Sequence, residues 1–244
     1  MPGTTPSGLK HTAKRLLDGA LRPGLTRHSV AWFLGALVML LITSPFIDGL
    51  EQGLLIEGLL LSLVLVSALL AVGGRKRTLI TAAALLVPVL TVQWVRHFNP
   101  DLLPALLQPA SAMVFVLFVT LCLLRYILAA SKIDSEVLCA GVSVYLMIAL
   151  LWAVIYTLVA RISPGSFQFS FGSEAQKEMR GFVALYFSLT TLSTVGFGDV
   201  VPVSNVARML AMAEAVVGVF YLTLMVSRLV SLYSPGRGAA GTGG

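Results

Sequence analysis

Charge is scarce in this sequence. Lys, Arg, Asp and Glu make up 11% of its 244 residues, against roughly 25% in an ordinary water-soluble domain. The shortage excludes a chain kept in solution by a charged shell. Histidine and cysteine are scarce too, at three and two residues. His11, His28 and His97 lie at or beyond the ends of apolar blocks, and no Ser/His or paired-Asp set falls inside one. The usual side chains for nucleophilic or acid–base chemistry within a membrane are therefore missing, and no enzyme is expected. Cys122 and Cys139 both fall inside apolar blocks. They are expected as buried free thiols rather than as a disulfide or metal site.

Apolar residues are what the chain has in plenty, at 57%. They come in runs near the roughly 20 residues a helix needs to cross a bilayer. The runs cover residues 30–46, ending at Pro45, then 54–72, 79–95, 104–130, 136–160 and 204–232. Pro104 suits the first turn of the fourth. All are read as helices, because an isolated strand cannot satisfy its backbone in lipid. Ahead of them, residues 7–21 place Leu9, Ala13, Leu16, Leu17, Ala20 and Leu21 at helical spacing. This fits an amphipathic helix on the inner membrane surface, with a disordered basic arm as the alternative. No small-residue cleavage site follows an early apolar run, so the first span is expected to direct insertion itself.

The net charge is +6. The basic residues lie between apolar blocks, so membrane lipids and topology explain them and nucleic acid does not. One set of segments carries Lys10, Lys14, Arg15, Arg22 and Arg27, then Arg75, Lys76 and Arg77, then Arg125 and Lys132, then Arg228 and Arg237. The alternate segments carry fewer: Arg96, Arg161, Lys177, Arg180 and Arg208. The bias places both termini in the cytoplasm of a plasma membrane, an inner membrane if the cell is bacterial. Glu57, near the outer end of the second span, reads as interfacial. Residues 161–176 read as an exposed polar loop, and the Gly-rich stretch from 234 to 244 as disordered.

Residues 182–192 form an apolar stretch too short to cross and are expected to be re-entrant. The segment continues through Thr190-Thr191-Leu192-Ser193 into Thr194-Val195-Gly196-Phe197-Gly198-Asp199. This run resembles the signature of the tetrameric potassium channels, whose filter reads Thr-Val-Gly-Tyr/Phe-Gly-Asp. The resemblance covers about residues 136–232. It implies K+ as the permeant ion with no organic cofactor, a homotetramer, and K+ ligation at Thr194, Val195, Gly196 and Phe197, with Gly198 completing the filter. It further implies that Gly218 sits where the family places a gating hinge, close helix packing being the other reading of that glycine. By offset from Gly218, Val219, Leu222 and Val226 are candidates for the cavity wall.

The residue types suit that task. A potassium ion sheds water only where other oxygens replace its hydration shell, and rings of backbone carbonyls from four chains do so. Pointing successive carbonyls at one axis needs alternating torsions, which Gly196 and Gly198 tolerate. Val195 and Phe197 can then turn outward against the short helix. The C-terminal end of that helix carries a partial negative charge that favours a cation. Ser188, Thr190, Thr191 and Ser193 are expected to hydrogen-bond the filter backbone. Where some relatives carry Glu and paired Trp, this chain has Thr190, Tyr186 and Phe187, so Asp199 is expected to lack a carboxyl or indole partner. Arg208 either pairs with an acid of a neighbouring chain or snorkels.

The expected fold is an all-α integral membrane protein: six transmembrane helices plus a re-entrant pore helix and filter loop, voltage-gated-channel-like without the sensing charges. Residues 1–28 form the interfacial segment, 29–131 the four-helix bundle, 132–234 the pore domain and 235–244 the tail. No nucleotide- or calcium-binding domain is expected after Leu232. A less selective cation channel is the nearest alternative, but such relatives break the filter pattern, which is intact here; a non-conducting scaffold would leave the pattern unexplained.

The fourth span generates a prediction. Steep voltage gating moves about 3–4 charges per subunit through the field. Residues 104–130 offer Arg125 alone, near the cytoplasmic end. Tail currents in symmetrical potassium are expected to give a shallow conductance–voltage curve that Arg125→Gln leaves unchanged. A slope equivalent to about ten or more charges per tetramer would contradict this.

Overall fold

A computed structural model describes residues 29–47, 53–72, 76–99, 101–130, 134–170 and 178–233. The amphipathic segment 7–21 and the Gly-rich stretch 234–244 lie outside the described residues, as do Arg75 and Lys132. The chain order is α1 (Ser29–Ile47), α2 (Gly53–Val72), α3 (Lys76–Phe98), α4 (Leu107–Ala129), α5 (Ser135–Ile162), β1 (Phe167–Phe169), α6 (Gly181–Leu192), β2 (Val200–Pro202) and α7 (Asn205–Tyr233). Among the described residues six helices, α1 to α5 and α7, are long and apolar enough to cross a membrane. The fold is all-α apart from one small ribbon, and the chain is a multi-pass membrane protein.

Helix ends follow local chemistry. Asp134 is extended at the N-cap of α5, and its carboxylate accepts from the Val137 amide at 3.0 Å. Glu136 adds a negative charge to the first turn, where the helix dipole favours it. Ser204 caps α7 by accepting from the Ala207 amide at 3.2 Å. The α5 helix stops at Ser163, ahead of Pro164-Gly165, a pair that breaks helices.

Each helix packs on its neighbour in sequence from α1 to α4, and both α1 and α4 dock on α5. In lipid, such association rests on close packing and interhelical hydrogen bonds. Gln93 of α3 supplies one bond, donating to the Gly58 carbonyl of α2 at 2.7 Å. Phe33, Phe115, Leu123 and Ile127 are fully buried between the helices. The α5 helix then carries α6, and α6 carries α7.

Several expectations need correction. Pro104 is not in the fourth helix: it lies in a turn whose carbonyl accepts from the Leu107 amide at 3.0 Å. The proline in the first turn is Pro109, whose missing N–H would have had no partner there. Pro45 does not end α1 but lies inside its last turn, and α3 begins within the basic cluster, at Lys76. Of the expected loop 161–176, residues 171–176 lie outside the described residues, and residues 161–170 are not simply exposed. Phe167–Phe169 pairs antiparallel with Val200–Pro202, and Ser166 and Phe167 are buried. Phe167 is drawn inward by edge-to-face contacts with Tyr156 and Phe187. Cys122 and Cys139 are free thiols, half-buried rather than buried.

The α5 cap is testable. Asp134→Ala removes a side-chain acceptor, at a cost of about 1 kcal/mol. The thermal midpoint of purified protein is expected to fall by about 2–4 °C, with Asp134→Asn recovering most of it.

Candidate ion-conducting segment

The α6 helix is 12 residues long, about 18 Å at 1.5 Å per residue, so it reaches only partway through a bilayer of about 30 Å. Its last turn leaves carbonyls without helical partners, and the chain folds back to fill them. The Thr194 amide donates to the Thr191 carbonyl at 2.9 Å. The Val195 and Gly196 amides both donate to the Thr190 carbonyl, at 2.9 and 3.1 Å. Consecutive N–H groups thus point at the end of α6. Among the described residues, no carbonyl from Thr194 to Gly198 accepts a hydrogen bond.

The torsions alternate. Thr194, Gly196 and Gly198 have φ of 61°, 51° and 79°, while the residues between them are not left-handed. A Cβ on Gly196 or Gly198 would meet nothing within 4 Å in this chain, so the glycines serve the torsion and not the space. Thr194 adopts the same region with a side chain, a strain of about 1–2 kcal/mol. Its residue type gives no sign of this, and sequence reading placed the left-handed positions at the glycines alone.

The outer end is anchored by side chains. Tyr186 of α6 donates its phenol to Asp199 Oδ2 at 2.6 Å, and its ring stacks on Phe197 at 6.2 Å with 3° between planes. Asp199 also accepts from the Val200 amide at Oδ1, and its carbonyl accepts from Ser170. Asp199 has no carboxyl or indole partner here, but a phenol takes that place. Phe197 is 69% exposed and Val195 is exposed as well.

The hydroxyls behave differently from expectation. Thr190 Oγ1 bonds the Phe187 carbonyl at 3.0 Å and Ser193 Oγ the Leu189 carbonyl at 2.6 Å. Both turn back along their own helix, as Ser and Thr commonly do. The backbone of residues 194–196 is held by the carbonyls of Thr190 and Thr191 instead. Phe187 is buried, edge-on to Tyr156 at 4.9 Å.

The α7 helix approaches α6 at Gly218. A Cβ there would lie 2.0 Å from the Leu192 carbonyl oxygen, so close packing is observed at this glycine. Val219, Leu222 and Val226 are exposed on the single chain. Arg208 donates from Nε to the Pro202 carbonyl at 3.2 Å. Glu57 of α2 sits at the N-terminal end of α6, where a Cβ on Gly181 would be 2.8 Å from its Oε1. It therefore lies against the pore-helix start and is more than an interfacial charge.

One group escaped sequence reading entirely. Glu214, in the middle of α7, is 0% exposed. Its Oε2 accepts from Tyr156 Oη of α5 and its Oε1 contacts Ser188 Oγ of α6, both at 2.5 Å. An acidic residue inside an apolar span was the available signal.

The sequence pattern of the family described as "Ion channel" matches residues 137–234. "Potassium channel protein kcv" from Paramecium bursaria Chlorella virus 1 is 33% identical over 79 residues, 32% of this chain and 83% of that protein. "Calcium-gated potassium channel TvoK" of Thermoplasma volcanium is 44% identical over 48 residues, 20% of this chain and 14% of that protein. "Voltage-gated potassium channel Kch" of Escherichia coli is 40% identical over 52 residues, 21% of this chain and 12% of that protein. No solved structure matches. With the ion-channel pattern over α5 to α7, and a viral potassium channel matched along most of its length, the chain belongs to the potassium channel family.

Proposed function

We propose that this chain is a subunit of a homotetrameric, potassium-selective channel, and that Thr194 to Gly198 form its filter. The observation that carries the reading is the alternation at Thr194, Gly196 and Gly198, with the amides of Thr194, Val195 and Gly196 drawn to the Thr190 and Thr191 carbonyls. That arrangement leaves a file of carbonyls without protein partners. In a ring of four chains, those of Thr194, Val195, Gly196 and Phe197 replace the water of a K+ ion. Tyr186, Phe187, Thr190, Thr191, Ser193 and Asp199 support the loop from behind. Residues 132–234 are the pore domain and residues 29–131 a bundle docked on it, with both termini cytoplasmic.

The exposed apolar surface supports assembly. Val206, Met209, Met212, Val216, Phe220 and Leu224 of α7 are all exposed on one chain. One filter segment cannot encircle an ion, so the inner helices and filters of neighbouring copies meet around a shared axis. Val219, Leu222 and Val226 then face the water-filled cavity below the filter, and Gly218 is the point where α7 bends or pivots against α6.

Purified protein in planar bilayers is expected to show a reversal potential far from zero under potassium/sodium bi-ionic conditions. Gly198→Asp, which puts a side chain and a charge at φ 79°, is expected to remove that selectivity. A reversal potential near zero in the unaltered protein would leave a less selective cation channel as the reading. Light scattering of the detergent complex is expected to give a tetramer, and a conducting preparation that is monomeric or dimeric would contradict the assembly.

A further inference from the structure

The Glu214 cluster ties three helices together at one buried point. Tyr156, Ser188 and Glu214 are each 0% exposed. Ser188 Oγ lies 2.7 Å from the Ala149 carbonyl oxygen of α5 and 2.5 Å from Glu214 Oε1. Tyr156 Oη lies 2.5 Å from Glu214 Oε2. The proton count decides what these contacts are. A carbonyl only accepts, and a serine hydroxyl has one proton to donate. If Ser188 donates to Ala149, the contact with Oε1 is a hydrogen bond only if its proton comes from the glutamate. Tyr156 gives its own proton to Oε2. The cluster therefore closes with every donor used once when Glu214 is a neutral carboxylic acid. A carboxylate would leave two acceptors competing for one Ser188 proton.

The surroundings give a carboxylate no other support. Among the described residues, no Lys, Arg or His makes an ion pair with Glu214. The elements packed on α7 are α5, α6 and β2. From α5 the ionisable groups facing it are Tyr156 and, at longer range, Tyr145. The α6 helix presents Ser188, and β2 has no titratable side chain. Burying an unpaired charge there is costly, whereas a fully bonded neutral acid is not.

We infer that Glu214 is a positioning residue held as a protonated carboxylic acid, which locks the inner helix α7 to α5 and to the middle of the pore helix α6. Its hydroxyl donates to Ser188 and its carbonyl oxygen accepts from Tyr156. Four residues on, Gly218 presses against the Leu192 carbonyl at the end of α6, so the lock and the close approach together set where α6 ends. The inference rests on hydrogen bonding and not on ion conduction.

The test uses the full-length protein in detergent or lipid. Infrared difference spectra of wild type minus Glu214→Gln, at neutral pH, are expected to show the carbonyl stretch of a protonated carboxylic acid. Glutamine reproduces the neutral acid's pattern, with its amide NH2 donating to Ser188 and its oxygen accepting from Tyr156. Glu214→Gln is expected to melt within about 2 °C of wild type, and Glu214→Leu, which leaves the Tyr156 hydroxyl without an acceptor and Ser188 with its Ala149 bond alone, roughly 4–8 °C lower. A difference spectrum with carboxylate bands and no acid band would overturn the inference. So would a Glu214→Gln protein that melts as low as Glu214→Leu.

Discussion

The structure of the candidate site depends on how the carbonyl end of α6 is satisfied. A helix that ends inside a membrane leaves acceptors that water does not reach, and each must find a donor. Here the donors are the amides of the next residues, with Thr190 taking two of them. A chain that turns its amides back toward the helix turns its carbonyls away from it. The left-handed torsions at Thr194, Gly196 and Gly198 are the backbone consequence. The same requirement that closes a helix thus opens a row of acceptors, and in the proposed tetramer those acceptors are the ion's ligands.

The rest of the fold holds that short helix in place. Its start lies against Glu57 of the four-helix bundle, its middle is fastened through Ser188 to α5 and α7, and its end is pressed by Gly218. The outer end of the loop is pinned by Tyr186 and Asp199, then by pairing of β1 with β2. These supports come from several elements, so the loop is not free to choose its own torsions. That is the setting in which a strained Thr194 persists.

Much of this was legible in the sequence because the bilayer restricts the choices. Long apolar runs can only be helices, and the six spans followed, with ends shifted by a few residues. Residues 194–199 were legible because Thr-Val-Gly-Phe-Gly-Asp resembles the potassium channel filter signature and its glycines tolerate left-handed torsions. What was hidden depends on partners distant in sequence. Phe167 reads as part of a polar loop until Tyr156 and Phe187 are beside it. The hydroxyls of Thr190 and Ser193 were assigned to the loop, yet each finds a carbonyl of its own helix within about one turn. Pro104 and Pro109 both suit a helix start, and only the turn at Leu107 separates them. Glu214 is one acid in an apolar helix, and its meaning appears only with Tyr156 and Ser188.

The central claim is that the carbonyls of Thr194 to Phe197 become ion ligands when chains assemble. The most direct measurement is anomalous scattering from crystals of the assembled protein grown in thallium or rubidium. The account predicts peaks in single file on a fourfold axis, each flanked by carbonyl oxygens from residues 194–197 of every chain. An assembly without that axis, or one whose peaks lie away from those carbonyls, would contradict it.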